Sequence, residues 1–546
     1  MKLKIVFIQP PIQDFYNTKI RLQPLGLAYL KSSILRKFPG THIIIRDYHH
    51  GYPKKTIPIP KELDYLKHFF AGYDKGPFSS FHQYYHFGAS FPDIVSDLKT
   101  LKPDLIGISS SFSPYYEEVL TLASQIKNKM NIPIILGGAH VSACPELMLK
   151  NENVDFVIVG EGEKAICLFL KEFLNDKNYK KVPSLGYKKN EELFFNPQCD
   201  NFHIDEIPFP DFSDFPTDRY QYNKKTLSFI QTSRSCPWQC DFCSVHTTFG
   251  KKFRQRKSDQ VIEEMKSGYL KGVRIFDFED DNLTFNKTRA LELFEKIKIN
   301  FPKKDIELMA MNGLAYQSMD KEILVSMKEA GFKNLNIALV FCNEKLAIAN
   351  SRPHSPDKFR TIVNDAFDMN YFITAYLILG HPEDNITNMI DTLAMLASLP
   401  VLIGASMFYL TPSSPIEKRF PIQNTAEIKR SRLTAMEIHS KKFSREQIFT
   451  MFIATRIINF LKGLDFQTTD INLSSLIKNP PSNEKRSMTG IRQLAHIFET
   501  GKHILIGKKE ILELDVFDFE IFKKVMARLP EIYTQNGKKI LNDIDC

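Results

Sequence analysis

Short apolar runs recur through the first third of the chain, each followed by a stretch long enough for one helix. Lys2–Ile8, His42–Arg46, Leu105–Ser109, Ile132–Leu136 and Phe156–Val159 are continuous rather than alternating in hydrophobicity, the pattern of strands buried on both faces. Pro24-Leu-Gly-Leu-Ala-Tyr-Leu30 opens a helix with proline near its first turn, and helical periodicity returns near Glu117–Met130 and Glu163–Leu174. Strand alternating with helix predicts a parallel sheet with helices on both faces, a Rossmann-like (flavodoxin-like) domain within an α/β chain. Such sheets bind ligands at the C-terminal ends of their strands.

Unusual residues gather at those ends. Gly107-Ile-Ser109-Ser110-Ser111 follows one strand, Gly137-Gly138-Ala-His140 the next, and Gly160-Glu161-Gly162-Glu163 the last. Small residues there let a ligand approach the backbone closely, and they equally suit tight turns. Residues 52–98 interrupt the alternation with an aromatic segment, Phe78-Ser-Ser-Phe-His82-Gln-Tyr-Tyr-His86-Phe. That insertion is expected to fold as helices over the ligand edge.

Asp205-Glu-Ile-Pro208-Phe-Pro210-Asp-Phe-Ser-Asp-Phe-Pro216 is acidic and punctuated by proline, so it reads as an extended connector. Beyond it the alternation resumes: Leu227–Ile230, a helix near Ser258–Leu270 and a strand Val273–Asp277 predict a partial (β/α) barrel. From about 425 the pattern is helical. Ser444-Arg-Glu-Gln447 is a capping box, Ile448, Met451, Phe452, Ile458 and Leu461 recur at helical spacing, and Gly463 stops the run. Asp518–Arg528 forms a last helix. The expected divisions are 1–200, a linker 201–224, a barrel 225–420 and a helical C-terminal region 421–546.

Composition sets few further bounds. A chain of 546 residues suggests two or three domains. The net charge of +9 is spread without a basic block, so it reads as a solvated surface and a nucleic-acid partner is disfavoured. No apolar run is long enough for a membrane span, and the start Met-Lys-Leu-Lys-Ile-Val-Phe-Ile flows into a strand, so a cytoplasmic location is expected. Eight cysteines are too sparse for a disulfide scaffold. The 44 phenylalanines lean toward an apolar small-molecule substrate.

Three of the cysteines stand together in Thr232-Ser-Arg-Ser-Cys236-Pro-Trp-Gln-Cys240-Asp-Phe-Cys243, at the C-terminal end of an expected strand. Closed zinc sites and ordinary iron–sulfur clusters take four protein ligands. Three would leave one iron of a four-iron cluster open to a small molecule. A zinc knuckle completed by His246, or three unrelated thiols, are the competing readings. Trp238, the one tryptophan, either shields the metal centre or packs beneath the loop.

The CxxxCxxC loop, with Phe242 directly before its last cysteine, resembles the signature of radical S-adenosylmethionine (SAM) enzymes. The resemblance implies a [4Fe–4S] cluster on Cys236, Cys240 and Cys243, SAM chelated at the open iron, and a 5′-deoxyadenosyl radical. It also implies a reductant such as flavodoxin or ferredoxin. By the same resemblance Phe242, Asp280, Asp281, Asn312 and Gly380 are expected to line the SAM pocket. One segment departs from the family pattern: Ala338-Leu-Val-Phe-Cys342 stands where relatives commonly carry a polar Gly-x-Glu-Ser-Gly sequence.

The N-terminal order PLGLAYL, PDLIGISS, PIILGGAH and DFVIVGEGE looks like the cobalamin-binding domain that precedes many radical SAM cores. That implies cobalamin near Ser109, Ser110, Gly137, Gly138, His140, Gly160 and Glu161. Some corrinoid proteins ligate cobalt through a DxHxxG histidine after the first strand, and that loop here has none; Asp47-Tyr-His49-His50-Gly51 is one residue short and follows the second. A corrinoid without a protein histidine on cobalt is therefore expected, or none at all. The function implied is cobalamin-dependent methylation of an unactivated carbon. Radical cyclisation or rearrangement without methyl transfer, and a non-catalytic corrinoid or iron–sulfur binding protein, are the alternatives. A tRNA methylthiotransferase is disfavoured, since no cysteine precedes Cys144. The sequence assigns no catalytic side chain.

Overall fold

In the computed structural model, residues 3–18, 22–198, 203–214, 219–438, 440–481, 484–507 and 510–544 are described. Lys2 of the expected first strand, and Phe215 and Pro216 of the expected connector, lie outside them.

The N-terminal sheet has seven strands: β1 (Lys4–Gln9), β2 (His42–Asp47), β3 (Leu105–Ser109), β4 (Ile134–Gly137), β5 (Phe156–Ile158), β6 (Leu185–Lys189) and β7 (Glu192–Phe195). Their order is β7-β6-β5-β4-β3-β1-β2. The five strands read from the sequence are parallel, and the hairpin β6–β7 adds antiparallel to β5. Ile5, Val6, Phe7 and Ile8 of β1 are all buried, as a strand covered on both faces requires. Gly107 in β3 is set by packing, because a Cβ there would stand 2.5 Å from the Phe7 ring. Helices α1 (Leu25–Lys37), α2 (Phe91–Leu101), α3 (Tyr116–Lys127) and α4 (Gly162–Leu174) cover the sheet.

The insertion differs from expectation. Lys54–Ile57 and Tyr84–Phe87 are strands, paired antiparallel to each other and, through Tyr84–Phe87, to Ile12–Asp14. A 3₁₀ turn over Lys61–His68 lies between them. The dense aromatic run favours an extended backbone, where rings pack across a small sheet. The segment does not simply roof the ligand edge: Phe69, Phe78 and Phe81 meet Phe449, Phe460 and Phe452 of the C-terminal region at ring-centroid distances of 5.6, 5.4 and 6.2 Å.

The barrel portion consists of β8 (Lys225–Ile230), β9 (Ile275–Phe278), β10 (Glu307–Met309), β11 (Asn334–Val340), β12 (Phe372–Leu379) and β13 (Leu402–Met407). They form two parallel three-stranded pieces, β8-β9-β10 and β11-β12-β13, joined through the bridges Leu308–Phe332 and Leu314–Ile337. Helices α5 (Ser258–Leu270), α6 (Lys287–Asn300), α7 (Lys321–Ala330), α8 (Pro356–Asp368) and α9 (Ile386–Ala397) lie between successive strands.

Helix α10 (Arg445–Lys462) begins with the expected capping box, with both Ser444 and Gln447 bonds made. It seals the free edge of β13: Asn459 accepts from Ile403 N at 2.9 Å and donates to Ile403 O at 2.8 Å. Helices α11 (Lys485–Thr500) and α12 (Phe519–Ala527) follow, and the structure adds short strands that periodicity is too brief to reveal. Asp470–Asn472, Glu531–Tyr533 and Lys539–Leu541 form one small sheet, and His503–Ile506 pairs with Ile511–Leu514. One apolar core runs from the barrel into α10 and the insertion. Among the described residues no helix is long and apolar enough to cross a membrane.

Candidate active site

A cavity of about 400 Å³ lies between the strand ends of the N-terminal sheet and the barrel. Ser109, Ser111, Gly137, Gly138, Gly160 and Glu161 line one side; Gln231, Arg234, Phe249 and Glu279 line the other. The N-terminal strand ends and the segments flanking the cysteine loop thus bound one space. A Cβ built on Gly137 would meet nothing within 4 Å, so this glycine leaves room for a ligand. Gly138 is a different case, with φ at 120° and an added Cβ 2.6 Å from Ser110 O.

Two of the residues expected near the corrinoid stand back from the cavity. Ser110 and His140 are buried and do not line the cavity. The Gly138 turn starts a short helix, Ala139–Ala143, which carries His140 back toward α3. Its ring lies 5.5 Å from that of Tyr116, and Nδ1 is 3.0 Å from Ser113 Oγ. Burial pushes its pKa down to about 4.

Glu161 reaches the cavity wall with its carboxylate already bound. Arg234 Nη1 is 2.5 Å from Glu161 Oε1, Arg254 Nη2 is 2.8 Å from Oε2, and Arg234 Nη2 is 2.5 Å from Glu163 Oε1. All four side chains are almost fully buried. Neither arginine was marked as a site residue in the sequence; the available signal was an arginine in Thr232-Ser-Arg-Ser-Cys236, at the entry to the cysteine loop.

Strand β8 delivers that loop, and Asp280 at the end of β9 fixes its start. The Asp280 carboxylate accepts from Thr232 N at 3.2 Å, from Thr232 Oγ1 at 2.9 Å and from Ser233 Oγ. Arg289 Nη1 also donates to Thr232 Oγ1 at 3.1 Å. Burial raises the Asp280 pKa against these donors. Asp280 is therefore engaged by the loop on its carboxylate. Asp281 stands near the cysteines, acting on Cys236 and Cys243, and desolvation and then the charge of Asp280 lift it to about 7.

Each sulfur faces an N–H group. The Trp238 backbone and Asn282 Nδ2, the latter at 3.9 Å, serve Cys236; Arg352 Nη1 is 3.7 Å from Cys240; the Val245 backbone serves Cys243. Burial raises the Cys236 thiol and pushes Cys243 to about 11. Three soft sulfurs with N–H donors suit an iron–sulfur cluster. His246 Nε2 lies 2.8 Å from Cys236 O, which engages that nitrogen as a donor and removes it as a zinc ligand. Among the described residues no three His, Cys, Asp or Glu side chains close on a single-ion site.

The apolar departure on β11 receives Phe242. Its ring lies 6.0 Å from Phe341 and 6.3 Å from His381, and Ala338 and Val340 pack in the same cluster. These contacts pack the Phe242 ring against β11 and the Gly380-His381 turn. Asn312 donates to Glu279 Oε2 at 2.7 Å, so it stands beside the cavity wall. Gly380, at φ 82°, faces Ile448 of α10, with an added Cβ 3.5 Å away. The structure therefore gathers Ser109, Gly137, Gly138, Gly160 and Glu161 at the cavity, with Asn312 alongside through Glu279.

The B12 binding domain family matches residues 79–170, and the radical SAM superfamily matches 230–396. An uncharacterised methyltransferase of Pyrococcus horikoshii is 27% identical over 54% of this chain and 64% of its own length. The cytidylyl-2-hydroxyethylphosphonate methyltransferase of Streptomyces wedmorensis is 24% identical over 69% and 73%. The hopanoid C-3 methylase of Methylococcus capsulatus is 26% identical over 61% and 56%. The match thus spans less than two thirds of the first and third relatives. Among solved structures, the radical SAM methyltransferase TsrM of Kitasatospora setae, with cobalamin and a [4Fe–4S] cluster bound, has a TM-score of 0.59 at 14% identity, over 79% of this chain and 85% of TsrM. The cobalamin-dependent radical enzyme OxsB, with aqua-cobalamin and SAM bound, has 0.60 at 14%, over 90% and 71%. At that identity the likeness is one of fold.

Proposed function

For a chain that joins a B12-binding domain to a radical SAM domain, we propose cobalamin-dependent methylation of an unactivated carbon in a small-molecule substrate. The observation that carries this reading is the single cavity bounded by Ser109, Gly137 and Gly160 on one side and by Gln231, Arg234 and Glu279 on the other. Cys236, Cys240 and Cys243 would hold a [4Fe–4S] cluster, and the small residues at the N-terminal strand ends would admit the corrinoid. When bound, the cluster would supply the electron that cleaves SAM and the corrinoid would carry the methyl group. Asp281, Asn312 and Gly380 would meet SAM, and a flavodoxin or ferredoxin would supply the electron. The divisions 1–200, 201–224, 225–420 and 421–546 serve as working domain limits.

Anaerobic incubation of the reconstituted protein with SAM, dithionite, hydroxocobalamin and a panel of apolar acceptors tests the reading. Methyl transfer yields both S-adenosylhomocysteine and 5′-deoxyadenosine. The nucleoside alone indicates radical cyclisation or rearrangement. Neither product from protein with an intact cluster leaves a binding protein and overturns the proposal.

A further inference from the structure

The cysteine loop is held on its second side by the segment after the short helix Glu344–Ala349. Asn350 O accepts from Asp241 N at 3.1 Å. Two residues on, Arg352 Nη2 donates to Ala338 O at 2.7 Å, which directs Nη1 to 3.7 Å from Cys240 Sγ. The Ala338 carbonyl lies at an irregularity in β11: the register with β12 shifts between Ala338 and Val340, and Val340 has φ at 71°. A β-branched residue in that region is an outlier that the surroundings must enforce. The segment that departs from the family pattern is therefore also the one that seats this arginine.

Cys240 is the most buried of the three thiols, so a charge beside it is the least screened by water. The Nε of Arg352 is also buried and has no acceptor among the described residues. A cluster gains negative charge on reduction. A fixed guanidinium donating to a ligand sulfur favours the reduced form, since hydrogen bonds to sulfur and local charge set cluster potentials.

We propose that Arg352 is a positioning residue acting through Cys240, which raises the reduction potential of the cluster so that a flavodoxin- or ferredoxin-type donor can deliver one electron to it. The inference rests on the cluster assignment made under the proposed function. EPR-monitored redox titration of the reconstituted full-length protein tests it, after iron and sulfide have been counted per chain, in the wild type and in Arg352→Gln and Arg352→Lys. Arg352→Gln is expected to move the midpoint negative, by about tenfold in the reduction equilibrium or ~59 mV for one electron. Arg352→Lys keeps the charge and loses the planar fork, so it moves the midpoint the same way by less; it carries the test if the glutamine variant does not load. Unshifted midpoints in loaded variants overturn the proposal and leave the proposed function standing. An unmoved midpoint with weakened SAM binding also overturns it and assigns the guanidinium to the SAM carboxylate. A wild type that assembles no cluster refutes the proposed function instead.

Discussion

Arg234 Nη2 lies 2.5 Å from Glu163 Oε1, tying the entrance of the cysteine loop to the first turn of α4 in the N-terminal domain. The same guanidinium holds Glu161, so one side chain bridges the two faces of the cavity. Burial works to raise Glu163, and Arg234, a backbone hydrogen bond and Arg254 together outweigh it, so the carboxyl lies below its ordinary pKa.

Replacing Arg234 with methionine leaves two buried carboxylates short of a partner. Breaking a buried pair by removing one member costs about 3–5 kcal/mol. Urea unfolding of Arg234→Met is expected to show that loss, and adding Glu163→Gln is expected to recover part of it. The lowered Glu163 pKa gives this contact a pH signature. Its contribution is present above the unfolded carboxyl pKa and fades as pH falls through the lower, folded one, so the gap between the wild type and Arg234→Met should narrow at the acid end of the carboxyl range.

Gly137 and Gly138 are adjacent and should respond differently. Gly137→Ile projects into open space, so it is expected to reduce bound cobalamin, read from the absorbance of the reconstituted protein, with little change in unfolding midpoint. Gly138→Ala meets Ser110 O at 2.6 Å from a backbone at φ 120°. It is expected to destabilise the domain by about 1–3 kcal/mol, as strain at an unfavourable backbone position does.

Three buried histidines make stability depend on pH above the carboxyl range. Burial lowers His140 to about 4, His381 to about 3 and His503 to about 4. Each is depressed below its unfolded value of roughly 6.5, so the unfolded chain binds more protons as pH falls from there. The contribution of each histidine should be level above pH 7 and fall below about 6.5, by up to ~1.4 kcal/mol per pH unit, against the opposite slope of the buried carboxyls Glu118 and Asp281, which burial lifts to about 7. Urea midpoints of the wild type and of His140→Gln at pH 7 and pH 5 isolate one such contribution: between the two pH values the wild type should lose more stability, or gain less, than the variant.

Periodicity made the strands β1–β5 and helices α5 and α10 legible, because each is set by burial along its own segment. Cys236, Cys240 and Cys243 were equally plain, since their spacing is local. What the sequence hid was contact between distant segments. Arg234 and Glu163 are 71 residues apart, and Arg352 and Cys240 are 112 apart, and neither arginine sits in a pattern that marks a partner. Glu161 was visible as a residue of a glycine-rich strand end, but its commitment to two arginines was not. The insertion misled for a related reason: its aromatic residues are placed by α10, more than three hundred residues later.

Asp280 separates an anchor from a ligand. A carboxylate that bound SAM would need open space on at least one oxygen, whereas this one is buried and accepts from the backbone and hydroxyl of Thr232 and from Ser233. Those two residues lead directly into Cys236, so their position fixes where the first sulfur stands. Asp280→Ala removes the acceptor and leaves Thr232 N–H and both hydroxyls short of a buried partner, at about 1–3 kcal/mol for each group left unsatisfied. The loop entrance should then loosen, and iron per chain after reconstitution should fall well below one cluster. The fraction that does load should bind SAM with unchanged affinity, because no SAM contact has been removed. A variant with full iron content and weakened SAM binding by equilibrium dialysis would return Asp280 to the cofactor pocket.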